Sequence, residues 1–307
     1  MAYRLGDAAL GALLDQLPVL SGQSRQVEDL PGGLTNRNVK ITTARGVYVA
    51  RCSDASGALL GIDRDAEFHN SVAAHRAGVG APVLDYRPDL GILLIGYIDG
   101  ESLHDEDFAR PGLVAKVADS CRQLHAGPRF CNDFDMFSLQ PGYLKTLVDN
   151  GFRMPEDYLN HAERFDDIRR ALRATDAETV PCNNDLLAAN FVENADRVWI
   201  IDYEYSGNND PCFELGNIWR ECRLSLDQLE ELVTAYYGRP LRHKLARVRL
   251  QGTVSQYGWT LWGCIQNGSS AVDFDFWGWA MQRYDAAVEE FTGPDFARLL
   301  DDVAATD

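Results

Sequence analysis

The chain has 307 residues, long enough for two lobes that each bury a core, and its 46% hydrophobic content is ordinary for a globular protein. A net charge of −17 argues against nucleic acid or an anionic membrane as partner and suits a cationic substrate. No run approaches the ~18 uninterrupted apolar residues of a membrane span. The amino terminus lacks a basic start with a cleavage site. The seven cysteines are scattered without a Cys-x-x-Cys pair, so the spacing suggests neither a zinc site nor a disulfide framework and reads as a cytoplasmic protein with reduced thiols.

Residues 1–17, MAYRLGDAALGALLDQL, alternate as an amphipathic helix. Arg25 to Leu30 reads as a strand running into PGGLTNRN, and further strands are predicted over Val39–Thr43 and Val47–Cys52, with Ala44-Arg45-Gly46 as their turn. A glycine turn between antiparallel strands lets backbone amides approach a phosphate, because Gly33 has no Cβ to block the way. By itself it reads equally well as a plain hairpin. Alternation along YVARC places Arg51 opposite Ala50 and Cys52, and DRDAEFHNSVAAHRAGV reads as a helix with Glu67 near its start and Gly78 near its end. A basic residue on a strand and an acid on the following helix can pair to position nucleotide phosphates, or can both be surface residues. Strands over Pro82–Arg87 and Gly91–Tyr97 follow, turning at Arg87-Pro88-Asp89. IDGESL then reads as a linker, which places a lobe boundary near Tyr97 and divides the chain into 1–97 and 98–307.

The remainder is mostly helical. Apolar residues at three- and four-residue spacing predict helices over Gly112–His125, Gln140–Gly151 and Glu156–Thr175, then Ser225–Tyr237, Arg242–Gln266, Asp275–Phe291 and Pro294–Val303. His125 reads as a core histidine without chemistry. Between these groups lies CNNDLLAAN, followed by FVENADRVW and IIDYE, where Glu193-Asn194-Ala195-Asp196 marks a hairpin turn. Asp185 precedes Asn190 by five residues, and the hairpin delivers Asp202 and Glu204, whose i, i+2 spacing in an extended segment lets them share one cation. An Asp, an Asn and a later Asp are what phosphoryl transfer requires: one acid orients and deprotonates a hydroxyl, and two oxygen ligands bind Mg²⁺ on the nucleotide phosphates. An anionic nucleotide on so acidic a chain has to be held by local donors and metal ions. In YGWTLWGCIQ, Trp259, Trp262 and Gln266 fall on one helical face, with Trp277, Trp279 and Tyr284 beyond. Several π faces near acids form a cage for a cation with no N–H to donate, or else a helix-packing core.

Together these motifs resemble the choline/ethanolamine kinases within the aminoglycoside-phosphotransferase branch of the protein-kinase-like fold, over nearly the whole chain. The resemblance implies a bilobal α+β fold with a small antiparallel-sheet lobe and a larger helical lobe. It implies ATP-dependent, Mg²⁺-assisted phosphorylation of a small cationic amino alcohol, choline first. GGLTN resembles the family's phosphate loop and YVARC its basic strand. The nucleotide side is thereby assigned Gly32, Gly33, Thr35, Asn36, Arg51, Glu67 and Tyr97. NNDLLAAN matches the His-Asn-Asp-x4-Asn loop, which implies Asp185 as the base and Asn190 as a metal ligand. IDYEYS matches the Asp-x-Glu motif, with Asp202 as metal ligand and Glu204 as an accompanying acid. Tyr205, Glu221, Trp259, Trp262 and Trp279 fall to the amine, with Glu221 facing it. Two departures stand out: Asn183 replaces the family's His, from which reduced loop rigidity is expected, and the basic strand residue is Arg rather than the Lys of protein kinases. Ethanolamine, thiamine or an aminoglycoside as substrate, and a catalytically silent nucleotide-binding protein, are the alternatives. A metal-dependent hydrolase would need more histidine ligands than the chain offers.

Overall fold

A computed structural model describes residues 6–53, 59–175, 178–195 and 197–306. Met1–Leu5 of the predicted first helix and Asp196 of the predicted hairpin turn lie outside them. The amino-terminal lobe is a five-stranded sheet of β1 (Arg25–Leu30), β2 (Arg37–Thr43), β3 (Gly46–Cys52), β4 (Val83–Arg87) and β5 (Ile92–Gly96), in the order β1-β2-β3-β5-β4. All neighbours are antiparallel. Helix α1 (Asp7–Leu14) and the chain after it cover one face, where Leu10, Leu14, Leu17 and Leu20 pack on Val39, Ile41, Ala50, Cys52 and Leu94. Alternation along β3 buries Ala50 and Cys52 in that core and turns Arg51 to the opposite face. There it meets α2 (Arg64–Arg76), whose start is fixed by Asp63 accepting the Ala66 N–H at 3.0 Å.

The second lobe contains β6 (Glu101–Ser102), α3 (Leu113–His125), α4 (Met136–Asn150), α5 (Ala162–Arg173), β7 (Val180–Cys182), β8 (Phe191–Glu193), β9 (Val198–Ile200) and β10 (Gly207–Asn209). It is completed by α6 (Pro211–Glu221), α7 (Leu226–Tyr237), α8 (Arg242–Ser269), α9 (Phe276–Thr292) and α10 (Phe296–Asp302). Three local expectations are corrected. Helix α4 starts at Met136 rather than Gln140, because Asp135 caps it through the Phe137 N–H at 3.0 Å and Pro141 is carried inside. The segment predicted as one helix from Glu156 opens with a 3-10 turn, Tyr158–His161, before α5. The supposed linker supplies β6, which pairs Glu101 with Glu193 and Ser102 with Val192.

Helix α8 is the axis of this lobe. Almost every residue from Ala246 to Gln266 is buried, so it is covered on all sides rather than amphipathic. Helix α6 crosses it in backbone contact at Gly216 and Gly252, where a Cβ on Gly216 would fall on the Gly252 amide and the Val248 carbonyl. A buried Asp210–Arg247 pair, Nε to Oδ2 at 2.5 Å and joined by Gln251 at 3.0 Å, ties the first turn of α6 to the same helix. These contacts fix α6 against the tryptophans further along α8. All seven cysteines are free thiols and only Cys131 is exposed. No helix among the described residues is long and apolar enough to cross a membrane. Gly216→Ala should therefore destabilise the fold by about 2–3 kcal/mol, the scale of forced overpacking, as read from urea unfolding midpoints.

Candidate active site

The loop between β7 and β8 is held from behind by α6. Glu214, wholly buried, accepts the backbone N–H of Asn183 at 2.9 Å and of Asn184 at 2.6 Å, and Asn217 accepts that of Leu186 at 2.6 Å. Asn184 sits at φ 69°, a left-handed conformation that Asn tolerates, and its side chain donates to the Tyr205 carbonyl at 3.1 Å. Buried His125 lies behind Glu214 at 3.4 Å with Nδ1 on the Tyr236 hydroxyl at 2.7 Å, as a hydrogen-bonded core residue. His125, Cys182 and Glu214 bring three ligand atoms within 4.8 Å of one another. Both Glu214 oxygens already hold loop amides, so the group acts as a strut.

Asn183 does not loosen this loop. It is fully buried, donates to the carbonyls of Ile201 (3.2 Å) and Asp202 (2.7 Å), and accepts the Asp185 N–H at 3.1 Å. The carboxamide has both a donor and an acceptor, so it ties the Asp185 loop to the Asp202 loop. The expectation of reduced rigidity is thereby corrected. Asn190, on the 3-10 turn Ala188–Asn190, spends its N–H₂ on the Asp185 carbonyl at 2.7 Å and keeps Oδ1 as an acceptor. Asp202 is left-handed at φ 64° rather than extended, so the i, i+2 argument for its pairing with Glu204 does not apply. The cation that the two share is Arg51, whose Nη2 lies 2.5 Å from Asp202 and 3.0 Å from Glu204.

Arg51 also meets Glu67 through Nε at 2.8 Å. Arg64, at the start of α2, joins Glu67 (2.7 Å), Glu204 (3.1 Å) and the Asn36 side-chain Oδ1 (2.8 Å). Thr35 and Asn36 each donate to Glu204 at 2.8 Å, so both of its oxygens hold partners and it clasps the two lobes together. Burial alone would raise the Glu204 carboxyl, but Arg51, Arg64, Thr35 and Asn36 outweigh it and hold the group below its ordinary range. Desolvation opposes the charge on Arg51, yet Asp202, Glu67 and Glu204 keep it firmly protonated. Burial followed by the charges of Glu221, Asp202 and Glu204 pushes Asp185 well above the usual carboxylate range, with Arg283 opposing. The glycine turn stands over these groups. Gly32 is left-handed at φ 96°, and a Cβ on Gly33 would strike the Asn36 carbonyl.

On the other side of Asp185 the aromatic residues form one wall. The Trp262 N–H donates to the Tyr205 hydroxyl at 2.5 Å, the Tyr205 and Trp259 rings are 4.9 Å apart edge to face, and those of Trp262 and Trp279 are 5.1 Å apart. Arg283 covers one face of Trp279, its guanidinium carbon 3.2 Å from the ring centre, and pairs with Glu221. The other Glu221 oxygen accepts from Gln256 at 2.7 Å. Glu221, expected to face the amine, is thus paired with Arg283 and Gln256 and borders a neighbouring chamber of about 700 Å³ that Trp279 also lines.

One cavity of about 520 Å³ is lined by Gly32, Gly33, Thr35, Asn36, Arg51 and Tyr97 together with Asp185, Asn190, Asp202 and Glu204 and with Tyr205, Trp259, Trp262 and Trp279. Of the residues assigned from the sequence to nucleotide, metal, base or amine, Glu67, paired with Arg51, and Glu221 stand outside its lining. Residues 26–248 match the model of the phosphotransferase enzyme family. A choline/ethanolamine kinase family protein from Mesorhizobium loti superposes with a TM-score of 0.83 at 32% identity, over 95% of this chain and 97% of that one. The chain belongs to the choline/ethanolamine kinase family of phosphotransferases. It is also 28% identical to protein LicA of Haemophilus influenzae, over 83% of this chain and 77% of that protein. Choline kinase LicA from Streptococcus pneumoniae shares the fold with a TM-score of 0.77 at 22% identity, over 92% of this chain and 98% of that one.

Sequence reasoning passed over Arg64, Glu214, Asn217 and Arg283. Arg283, four residues after Trp279, and Arg64, three residues before Glu67, carried a local signal on one helical face. Glu214 and Asn217 act on a loop 31 positions away in sequence. Because Glu204 is held below its ordinary value of 4.5, its contribution to stability is complete above about pH 4.5 and is lost as pH falls through the lower folded value. Glu204→Gln cannot ionise, so urea midpoints measured from about pH 6 to about pH 3 should fall less steeply for it than for the wild-type protein.

Proposed function

We propose that this protein transfers the terminal phosphoryl group of ATP to the hydroxyl of a small amino alcohol, with choline the favoured acceptor. The observation that carries this reading is that one cavity is lined together by the glycine turn and Arg51, by Asp185, Asn190 and Asp202, and by Tyr205, Trp259, Trp262 and Trp279. Glycine-turn amides and Arg51 suit phosphate oxygens. The Asn190 Oδ1 and Asp202 carboxylate are hard oxygen donors of the kind Mg²⁺ takes, and Arg51 has to leave Asp202 for the phosphates when nucleotide binds. Bound there, Mg²⁺ would neutralise charge on the β- and γ-phosphates. Asp185, its proton affinity raised by burial and three neighbouring carboxylates, suits a group that aligns the acceptor hydroxyl and takes its proton. The free thiols agree with a cytoplasmic setting.

Choline is favoured over ethanolamine by what the wall lacks. Both Glu221 oxygens are occupied by Arg283 and Gln256, so the wall offers ring faces but few free acceptors. A primary ammonium needs acceptors for three N–H groups, whereas trimethylammonium needs only diffuse contact with π faces. A coupled assay of ADP release should show Mg²⁺-dependent turnover stimulated by choline above ethanolamine, thiamine and aminoglycosides. Background release with all of them removes the kinase reading. Asp185→Asn should reduce kcat by roughly 10²-fold or more with nucleotide affinity retained, the scale of losing a positioned base. Asp202→Asn should weaken Mg²⁺-nucleotide binding as well. Trp262→Leu should raise KM for choline roughly ten- to thirty-fold, with a smaller rise for ethanolamine and none for ATP. Unaltered choline kinetics in a folded variant would assign the tryptophans to packing alone.

A further inference from the structure

The turn between β1 and β2 touches both halves of the cavity. Its glycines stand over the phosphate side, while the next residue, Leu34, packs against the apolar cluster of the second lobe that contains Tyr205, Trp259 and Trp262. Two clasps hold it there. The Leu34 carbonyl accepts from Gln266 Nε2 at 3.3 Å, one helical turn beyond Trp262, and Thr35 and Asn36 are bound to Glu204. Gln266 is buried at 5% exposure, so the donor that reaches the turn is itself held in place.

We propose that Leu34 is a specificity-determining residue of the acceptor site: the nucleotide turn supplies, through this side chain, the apolar lid of the aromatic amine pocket. This rests on the amine-kinase reading above and adds to it a residue from the opposite lobe. The branched side chain offers methyl groups and no hydrogen-bonding atom, so it discriminates by shape and apolar contact. An acceptor bearing N-methyl groups gains from it, and a bare ammonium, which needs hydrogen-bond acceptors, does not. Because one turn between β1 and β2 serves both substrates, its seating over nucleotide also completes the amine pocket.

The test is steady-state kinetics of the full chain with ATP, choline and ethanolamine for the wild type, Leu34→Ala and the conservative Leu34→Met. Leu34→Ala should raise KM for choline about five- to tenfold, the scale of removing a partly buried aliphatic contact. KM values for ethanolamine and ATP should stay within about twofold, and Leu34→Met should restore most of the loss for choline. Circular dichroism and melting temperature check that each variant folds, and the turn's place at the cavity edge makes a folding defect separable from a change in KM. Choline kinetics unchanged by Leu34→Ala, or equal rises for choline and ATP, would overturn the assignment and make Leu34 a loop anchor. Absence of turnover by the wild type with either amine would overturn the amine-kinase reading itself and this role with it.

Discussion

The two lobes meet through a cluster in which two guanidiniums, Arg51 and Arg64, face three carboxylates, Glu67, Asp202 and Glu204. Charges so far removed from water persist only when each has a partner, and removing one member of such a pair costs about 3–5 kcal/mol. That constraint organises the cleft. It sets α2 against β3, draws the glycine turn down through Thr35 and Asn36, and fixes Asp202 beside Arg51.

The Asp185 loop depends on a different device. Its amides are held by Glu214 and Asn217 from α6, and Asn183 bridges it to the Asp202 loop. Helix α6 in turn is fixed by backbone contact with α8 at Gly216 and Gly252. The aromatic wall lies further along that same helix α8, so the acid and the tryptophans are referred to one rigid axis. Rotation of α6 on α8 would shift Asp185 relative to the tryptophans, and the direct backbone contact at the crossing leaves little slack for it.

Arg283 shows how local surroundings redefine a residue whose type alone invites another reading. Stacked on Trp279 and paired with Glu221, it places a cation of the protein's own where the amine's counter-charge was expected. Burial lowers its proton affinity below the ordinary guanidinium range, and Glu221 offsets only part of that. The pair leaves the Glu221 oxygens occupied by Arg283 and Gln256.

Much of this protein was legible from residues near one another in sequence. Alternation along β3 put Arg51 on the cleft side, the strand-then-helix order announced two lobes, and the spacing of Asp185, Asn190 and Asp202 placed them in one loop-and-hairpin unit. Those inferences rest on the two- and 3.6-residue periods of the backbone, which hold wherever the segment folds. What the tertiary structure alone decided were contacts between residues far apart in the chain. Glu204 became a lobe clasp because Thr35 and Arg64 reach it from the other lobe. Glu221 lost its free carboxylate to Arg283, sixty-two positions later. Asn183 kept the loop tied because two carbonyls on the Asp202 loop lay within reach. No sequence period encodes such meetings, since the energy of a charge or a carboxamide depends on which partners folding brings within about 3 Å of it.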